Sequence, residues 1–350
     1  MAAQLHYNNI YTKTIHMKIN GHLIIPVLDD EKYMWALAHV GGIPVIRRMA
    51  LEEARKGVEQ ITVLVRKKDE ELDRALSGTP AEVVVLAASE GVDDAVRKLG
   101  DTGDVTIRGI SVHDENGRKQ LENKLLAGLV KDTEGVMSRL VNRRISLAVT
   151  RRLMNRSVTP NQMTWVSMGI GLLGALFFLP PGQIAQIVGA LLFLLHSILD
   201  GCDGELARLK FQESRFGGIF DYWSDNIVHV AVFTCIGIGW TQHGGGSYAL
   251  LSSLLAVGGT VMSAWLVFEH TMRDRKGGGP LYTSVSTENG KSMLVRIVDL
   301  LSRRDFIYLV VLLALFGKIH WFLVMTAVGA PIYAIVLLVV IDRDKRRRTT

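Results

Sequence analysis

Between positions 200 and 225 the chain reads DGCDGELARLKFQESRFGGIFDYWSD, which sets four aspartates inside otherwise apolar sequence. On a helix, Asp200, Asp203, Gly204 and Ala207 fall at i, i+3, i+4 and i+7, so two carboxylates and two small residues share one face. Gly217, Asp221 and Asp225 repeat every fourth residue and give a second helix a face of the same kind. Two such helices, joined by the charged turn from Lys210 to Arg215, can aim four carboxylates at one point. Ionised carboxylates at membrane depth are costly when alone, so the partner that suits them is a cation. An all-oxygen set suits Mg²⁺, Mn²⁺ or Ca²⁺, and carboxylates with open positions suit Mg²⁺ shared with a substrate's phosphates.

The elements that must carry these residues follow from how apolar sequence is distributed. Residues 1 to about 135 mix apolar and charged positions, whereas from about 160 onward the apolar runs are long enough to cross a bilayer. Six spans are expected, at about Gln162–Leu179, Ile184–Leu206, Gly218–Trp240, Ala249–Glu269, Asp305–Phe316 and Ile319–Ile341. The formal net charge of +6 comes from basic residues clustered beside those runs. There they set topology and touch lipid headgroups, so the charge is not a nucleic-acid signal. The positive-inside rule predicts an integral membrane protein of a cytoplasmic or inner membrane, with both termini and the 200–225 turn in the cytoplasm. The opening MAAQLHYNNIYTKT has no apolar core of signal-peptide type, which agrees with a cytoplasmic front part. Cys202 and Cys235 both lie in expected spans and suggest no disulfide framework. Within 134–158, Met137, Leu140, Val141, Ile145 and Ala148 form an apolar stripe beside Arg139, Arg143, Arg144, Arg151 and Arg152, the pattern of a helix lying in the membrane interface. The expected organisation is therefore a soluble domain at 1–133, an interfacial helix at 134–158, six membrane helices over 159–342 and a basic tail at 343–350.

In the front part, Ile61–Val65, Val83–Ala87 and Val105–Ile110 are short β-rich runs, with helical periodicity at Pro44–Lys56 and Val92–Leu99 between them. That alternation predicts a soluble α/β, Rossmann-like domain with a parallel sheet. Gly41–Val65 resembles the early part of sugar-phosphate nucleotidyltransferases, where a Gly-Gly-x-Pro segment opens a helix. Those enzymes hold a triphosphate on a glycine-rich loop after the first strand. The corresponding Leu23–His39 contains no glycine and two aspartates, and LAASEG at Leu86–Gly91 follows the wrong strand. A loop without glycine does not easily wrap backbone N–H groups round a phosphate, so a degenerate, non-catalytic domain is expected.

Asp200-x2-Asp203-Gly204-x2-Ala207-Arg208-x8-Gly217-x3-Asp221-x3-Asp225 resembles, with no position missing, the signature of the CDP-alcohol phosphotransferase family. The resemblance covers about Gly135–Asp342 and extends to NRRIS at Asn142–Ser146, TPNQMT at Thr159–Thr164 and RRDF at Arg303–Phe306. The pairing of two halves is similar in layout to fused inositol-phosphate cytidylyltransferase and di-myo-inositol-phosphate phosphate synthase proteins.

The resemblance implies a transferase that moves a substituted phosphate from a CDP-alcohol donor to a hydroxyl acceptor and releases CMP, in phospholipid or polyol-phosphodiester synthesis. It implies that Asp200, Asp203 and Asp221 ligate metal, and that Asp225 takes the acceptor's proton while touching a second ion. Two Mg²⁺ ions, with Mn²⁺ as a substitute, would sit about 3.5–4 Å apart in such a clamp. Pro160, Asn161, Gly204, Ala207, Arg208 and Gly217 would join Asp200 and Asp203 around the nucleotide, the small residues letting it approach helix backbone. Arg273, Arg303 and Arg304, at cytoplasmic span ends, are candidates for an acceptor phosphate. The acceptor could be inositol phosphate, glycerol phosphate or a lipid, and the family suggests a homodimer in contact with membrane lipids. His229, one turn after Asp225, is a candidate supporting group, although packing against a neighbouring helix is the commoner role. Two other functions fit parts of the pattern: an ion-coupled transporter, and a cytidylyltransferase for which the spans are only an anchor.

Overall fold

The run QITVLV at Gln60–Val65 alternates in burial, with Ile61, Val63 and Val65 buried and Thr62 and Leu64 half-buried on the other face. In the computed structural model, which describes residues 17–19, 22–27, 30–65, 69–85, 106–107, 110–112, 114–129, 141–273 and 306–349, it lies inside a four-stranded sheet. The chain divides into two compact units, Met1–Leu129 with Leu209–Phe211, and Val130–Arg208 with Gln212–Thr350.

In the first unit β1 (Met17–Ile19), β2 (His22–Val27), β5 (Gln60–Val65) and β6 (Ala81–Val85) lie in that order across the sheet. β1 runs antiparallel to β2, while β2, β5 and β6 are parallel, with Ile25 opposite Val63 and Val63 opposite Val83. Ile25, Val27, Ile61, Val63 and Val65 are buried, and α2 (Val45–Arg55) buries Val45, Ile46, Met49 and Ala50. A two-stranded hairpin, β3 (His39–Val40) with β4 (Ile43–Pro44), turns through Gly41 and Gly42 at φ 60° and 85°, a conformation glycine adopts without strain. The stretch Leu23–His39, expected as a loop, finishes β2 and then forms α1 (Asp30–Leu37), so a helix stands where a phosphate loop would be. Val105–Ile110 is not a third parallel run. It forms a hairpin, β7 (Thr106–Ile107) with β8 (Ile110–Ser111), because Gly109 follows too soon for a longer strand. α3 (Glu70–Leu76) and α4 (Glu115–Ala127) complete the unit, capped by Asp69 and Asp114, whose carboxylates accept from the backbone N–H groups of Glu71 and Gly117. The expected helix at Val92–Leu99 and the LAASEG stretch lie outside the described residues.

The second unit is helical. α5 (Arg143–Leu153) is followed by α6 (Pro160–Leu176), α7 (Gln183–Lys210), α8 (Arg215–Trp240), α9 (Gly246–Val267), α10 (Phe306–Leu315) and α11 (Ile319–Thr349). Among the described residues, three helical stretches are long and apolar enough to cross a membrane: Gln183–Lys210, Arg215–Met272 and Ile319–Asp342. The second is a pair of helices joined at a kink, where His243 (φ −118°, ψ 35°) and Gly244 (φ 102°, ψ 2°) leave helical geometry. α10 has ten residues, a rise of about 15 Å, which is half of a bilayer core. Phe193, Val228, Val232, Ile236, Val310 and Leu323 belong to the core where these helices meet. Large apolar side chains such as Trp165, Leu254, Trp265, Val328 and Ile335 are left on the outside, as lipid-facing positions would be. On α5 the buried side chains are Ser146 and Thr150, and Ile145 and Ala148 are exposed, so the small polar face points into the unit and these two apolar residues away from it.

Candidate active site

Helix α7 brings two acidic residues to its end on one face, and the face that opposes it begins α8. Asp200 and Asp203 are 2% and 5% exposed, and each offers a carboxylate oxygen that lies within 4.8 Å of the other's and of one from the half-buried Asp221. Three ionised carboxylates this close repel one another, and a multivalent cation would neutralise them without removing their charge. The donor set is all oxygen, which fits Mg²⁺ or Mn²⁺ and not a metal that selects thiolate or imidazole.

Asp203 is held in orientation by α6. Thr164 Oγ1 donates to its Oδ2 over 2.5 Å, and the backbone N–H of Gly204 donates to its Oδ1. Thr164 stands one turn into α6, whose start is fixed by a capping box: Thr159 Oγ1 accepts from Gln162 N at 3.3 Å, and Gln162 Oε1 accepts from Thr159 N at 2.9 Å. Pro160 occupies the first helical position, where its missing N–H costs nothing. Asn161 follows, its Oδ1 lying 3.1 Å from where a Cβ on Gly217 would fall. Gly217 is in the first turn of α8, where its N–H donates to the Ser214 cap at 2.9 Å. At Gly204 a Cβ would come 3.3 Å from Arg208 Nη1, so Arg208 lies over the bare backbone of its own helix, and Ala207 is half-buried beside it.

The opposite face of α7 carries a second acidic group that spacing alone did not single out. Glu205 is 0% exposed, and its carboxylate accepts from Ser146 Oγ at 2.7 Å, from Thr150 Oγ1 at 2.6 Å and from the Arg143 guanidinium. This network ties α5 to the motif-bearing helix. Tyr308 on α10 adds a tie from the other side, donating to Asn142 Oδ1 over 2.5 Å.

Asp225 lies one turn beyond Asp221 on α8 but outside the mutually close set of three. Its side chain is 22% exposed, and Oδ1 is 3.2 Å from Nε2 of His196, a residue missed in the sequence although it precedes Asp200 by one helical turn. His229 turns back on its own helix, Nδ1–H donating to the Asp225 carbonyl at 2.7 Å, and packs edge-on against Phe193. Arg273 is exposed and paired with Glu269, while Arg303 and Arg304 lie outside the described residues.

Comparison with known proteins adds identity to this geometry. Residues 157–341, more than half of the chain, match the family model for CDP-alcohol phosphatidyltransferase. The bifunctional IPC transferase and DIPP synthase of Thermococcus kodakarensis is 43% identical over 111 residues, 31% of this chain and 24% of that protein. The phosphatidylinositol phosphate synthase of Corynebacterium glutamicum is 28% identical over 152 residues, 43% of this chain and 67% of that one. Among solved structures, phosphatidylinositol phosphate synthase of Mycobacterium tuberculosis with CDP-DAG bound matches over 56% of this chain and 92% of its own at 21% identity and a TM-score of 0.40. The chain spans about a quarter of the length of the first curated relatives it matches. With the motif complete, its acidic residues converging and the match running from before α6 to within α11, the chain belongs to the CDP-alcohol phosphatidyltransferase family.

Proposed function

We propose that this protein is a Mg²⁺-dependent integral-membrane transferase. It moves the phosphoryl-alcohol part of a CDP-alcohol to a hydroxyl acceptor and releases CMP. The observation that carries this reading is the convergence of Asp200, Asp203 and Asp221 within 4.8 Å inside the segment that matches the family. A transporter would need its carboxylates at a midplane gate, and an anchor would have no use for converging ones.

The acceptor oxygen attacks the donor's distal phosphorus, the bond from that phosphorus to the bridging oxygen breaks, and CMP departs with that oxygen. Asp200, Asp203 and Asp221 would hold the cation, which when bound neutralises charge on the pyrophosphate. Asp225 takes the proton of the attacking hydroxyl; its 22% exposure and its place outside the close trio suit a base better than a ligand. Arg208 grips donor phosphate oxygens through its forked guanidinium. Gly204, Ala207 and Gly217 admit the nucleotide to helix backbone, with Pro160 and Asn161 at its edge. Arg273, Arg303 and Arg304 are the candidates for a phosphate on the acceptor.

In this reading α6 to α11 supply six membrane crossings, with both termini and the site in the cytoplasm, which the placement of basic residues supports. Residues 1–133 form a degenerate nucleotidyltransferase-like domain, 134–158 an interfacial segment, 159–342 the transferase and 343–350 a basic tail, and the protein acts as a homodimer. Relatives named for inositol-linked products make CDP-diacylglycerol with an inositol phosphate the first donor and acceptor to try, ahead of CDP-inositol with a lipid. Purified protein incubated with a panel of CDP-alcohols and acceptors, with products weighed by mass spectrometry, tests this. CMP release that requires both Mg²⁺ and an acceptor is expected, and CTP consumption with no CMP released from any CDP-alcohol would point to the anchored cytidylyltransferase instead.

A further inference from the structure

Among the described residues one amino acid other than glycine has a positive φ: Phe211, at 56°. It follows the last residue of α7, and Gln212 N–H donates to the Ala207 carbonyl at 2.8 Å, the bond that closes a Schellman turn with Phe211 in its left-handed position. Glycine fills that position without strain, and a larger side chain persists there where its surroundings hold it. Two guanidinium groups of α2 hold this one. Arg55 Cζ lies 4.3 Å and Arg48 Cζ 5.3 Å from the centroid of the Phe211 ring, both within cation–π reach. Arg48, 1% exposed, also donates through Nη2 to the Leu209 carbonyl at 2.7 Å and through Nε to the Val40 carbonyl at 3.2 Å. The Leu209 carbonyl belongs to the last turn of α7, where a helix leaves acceptors over and favours a cation. Gly41 makes room for this: a Cβ there would lie 2.8 Å from Arg48 Nη2 and 3.2 Å from Leu209 Cδ1. The Gly-Gly-x-Pro segment that resembles a nucleotidyltransferase feature thus closes on Leu209, which with Lys210 and Phe211 belongs to the first unit.

We infer that Phe211 is a positioning residue for the metal site, gripped by Arg48 and Arg55 so that the chain leaves α7 in one direction. The inference rests on the reading of Asp200, Asp203 and Asp221 as the cation's ligands. Two of them stand on α7 and the third on α8, and residues 211–214 are all that joins one helix to the next. So short a connection has little slack, and the backbone angle at Phe211 is passed on to the start of α8. A ligand set divided between two helices binds tightly only when both are held in register. The first unit acts on cation affinity through the chain itself, a role that needs no nucleotide chemistry of its own.

Mn²⁺ binding to the full-length protein in detergent, followed by electron paramagnetic resonance with no substrate present, tests this. Phe211→Gly removes the ring and relieves the backbone, whereas Phe211→Trp keeps an aromatic face for the two guanidinium groups. The Mn²⁺ Kd should rise about 10-fold in Phe211→Gly, the low end of what a lost supporting contact costs a metal site, and stay within about twofold of the parent in Phe211→Trp. Arg55→Ala, a change at an exposed position, keeps the test open if Phe211→Gly does not accumulate, and a rise of about threefold is expected of it. A ring that serves stability alone would leave the Kd of folded protein unchanged in every variant. Parental Kd in Phe211→Gly, or in Arg55→Ala where that variant stands in, would overturn the inference, and so would the same loss in Phe211→Trp as in Phe211→Gly. A parent that binds no Mn²⁺ removes the metal-site reading and this inference together, whereas a parent that binds it beside unaffected variants removes this inference alone.

Discussion

Asp203 and Asp225 show how differently two carboxylates of one motif are treated. Asp203 is buried and fixed through both oxygens by Thr164 and Gly204, which suits a ligand that must not move. Asp225 is partly open, with His196 Nε2 3.2 Å from its Oδ1, and that exposure suits a group that must exchange a proton with a substrate. Replacing Asp225 by asparagine keeps its shape and removes its basicity. kcat should fall by about 10²–10⁴-fold while binding of the CDP-alcohol, measured by calorimetry with Mg²⁺ present, changes little. Loss of binding in step with loss of turnover would make Asp225 a ligand instead. The four aspartates were legible in the sequence because each is charged, in apolar surroundings and at helical spacing. His196 was not, since a lone histidine in an apolar span has packing as its ordinary explanation. What separates it is the one-turn offset from Asp200, a signal that acquires meaning only once α8 is known to lie alongside.

At the scale of elements, the helices of the second unit are joined by polar ties where they carry chemistry and by close backbone contact elsewhere. Glu205 is the main tie between α5 and α7, buried with Arg143, Ser146 and Thr150 as donors. Arg143→Ala leaves that carboxylate buried with two hydroxyl partners and without the guanidinium that donates to it. It should destabilise the protein by about 2–4 kcal/mol, read as a lower thermal midpoint in detergent, and Glu205→Gln should recover part of it in the double variant. A double variant no better than Arg143→Ala would show that Arg143 acts by packing. Backbone contact governs the packing of α9 on α11. A Cβ on Gly259 of α9 would meet Pro331 N at 2.5 Å, whereas one on Gly258 would meet nothing within 4 Å. Gly259→Ala should therefore cost about 1–3 kcal/mol, and Gly258→Ala, in an exposed helical position, should be neutral or slightly stabilising in the same melting experiment. The helices themselves were legible from apolar length: the expected Ile184–Leu206 is the core of Gln183–Lys210, and Gly218–Trp240 lies within Arg215–Trp240. Their contacts were not, because a glycine that admits a neighbouring backbone and one that faces outward look alike in sequence. In the first unit Gln60–Val65 was read nearly to the residue, whereas β2 was missed, its Pro26 and following aspartates having the composition of a loop.

For the whole molecule, the acidic trio is a source of strain until something neutralises it. Two unit charges about 5 Å apart repel by roughly 3 kcal/mol at an effective dielectric near 20, and the trio contains three such pairs. With all three ionised the folded protein would hold a destabilising feature that a divalent ion bound to the native arrangement, and not to the unfolded chain, would repay. Mass action sets the return: at a hundredfold excess over Kd, a bound ion adds about 2.7 kcal/mol. Asp221→Asn removes one charge and two of the three repulsions together with one ligand. It should melt higher than the parent in chelator, gain little when Mg²⁺ is added, and melt lower than the parent at saturating Mg²⁺, so the two titration curves cross. A ligand deletion at a purely structural carboxylate predicts no crossing, because the variant would be the less stable at every Mg²⁺ concentration. Measured as thermal midpoints against free Mg²⁺, the crossing needs no substrate and no turnover. It therefore tests the proposed metal site independently of which alcohol the donor carries.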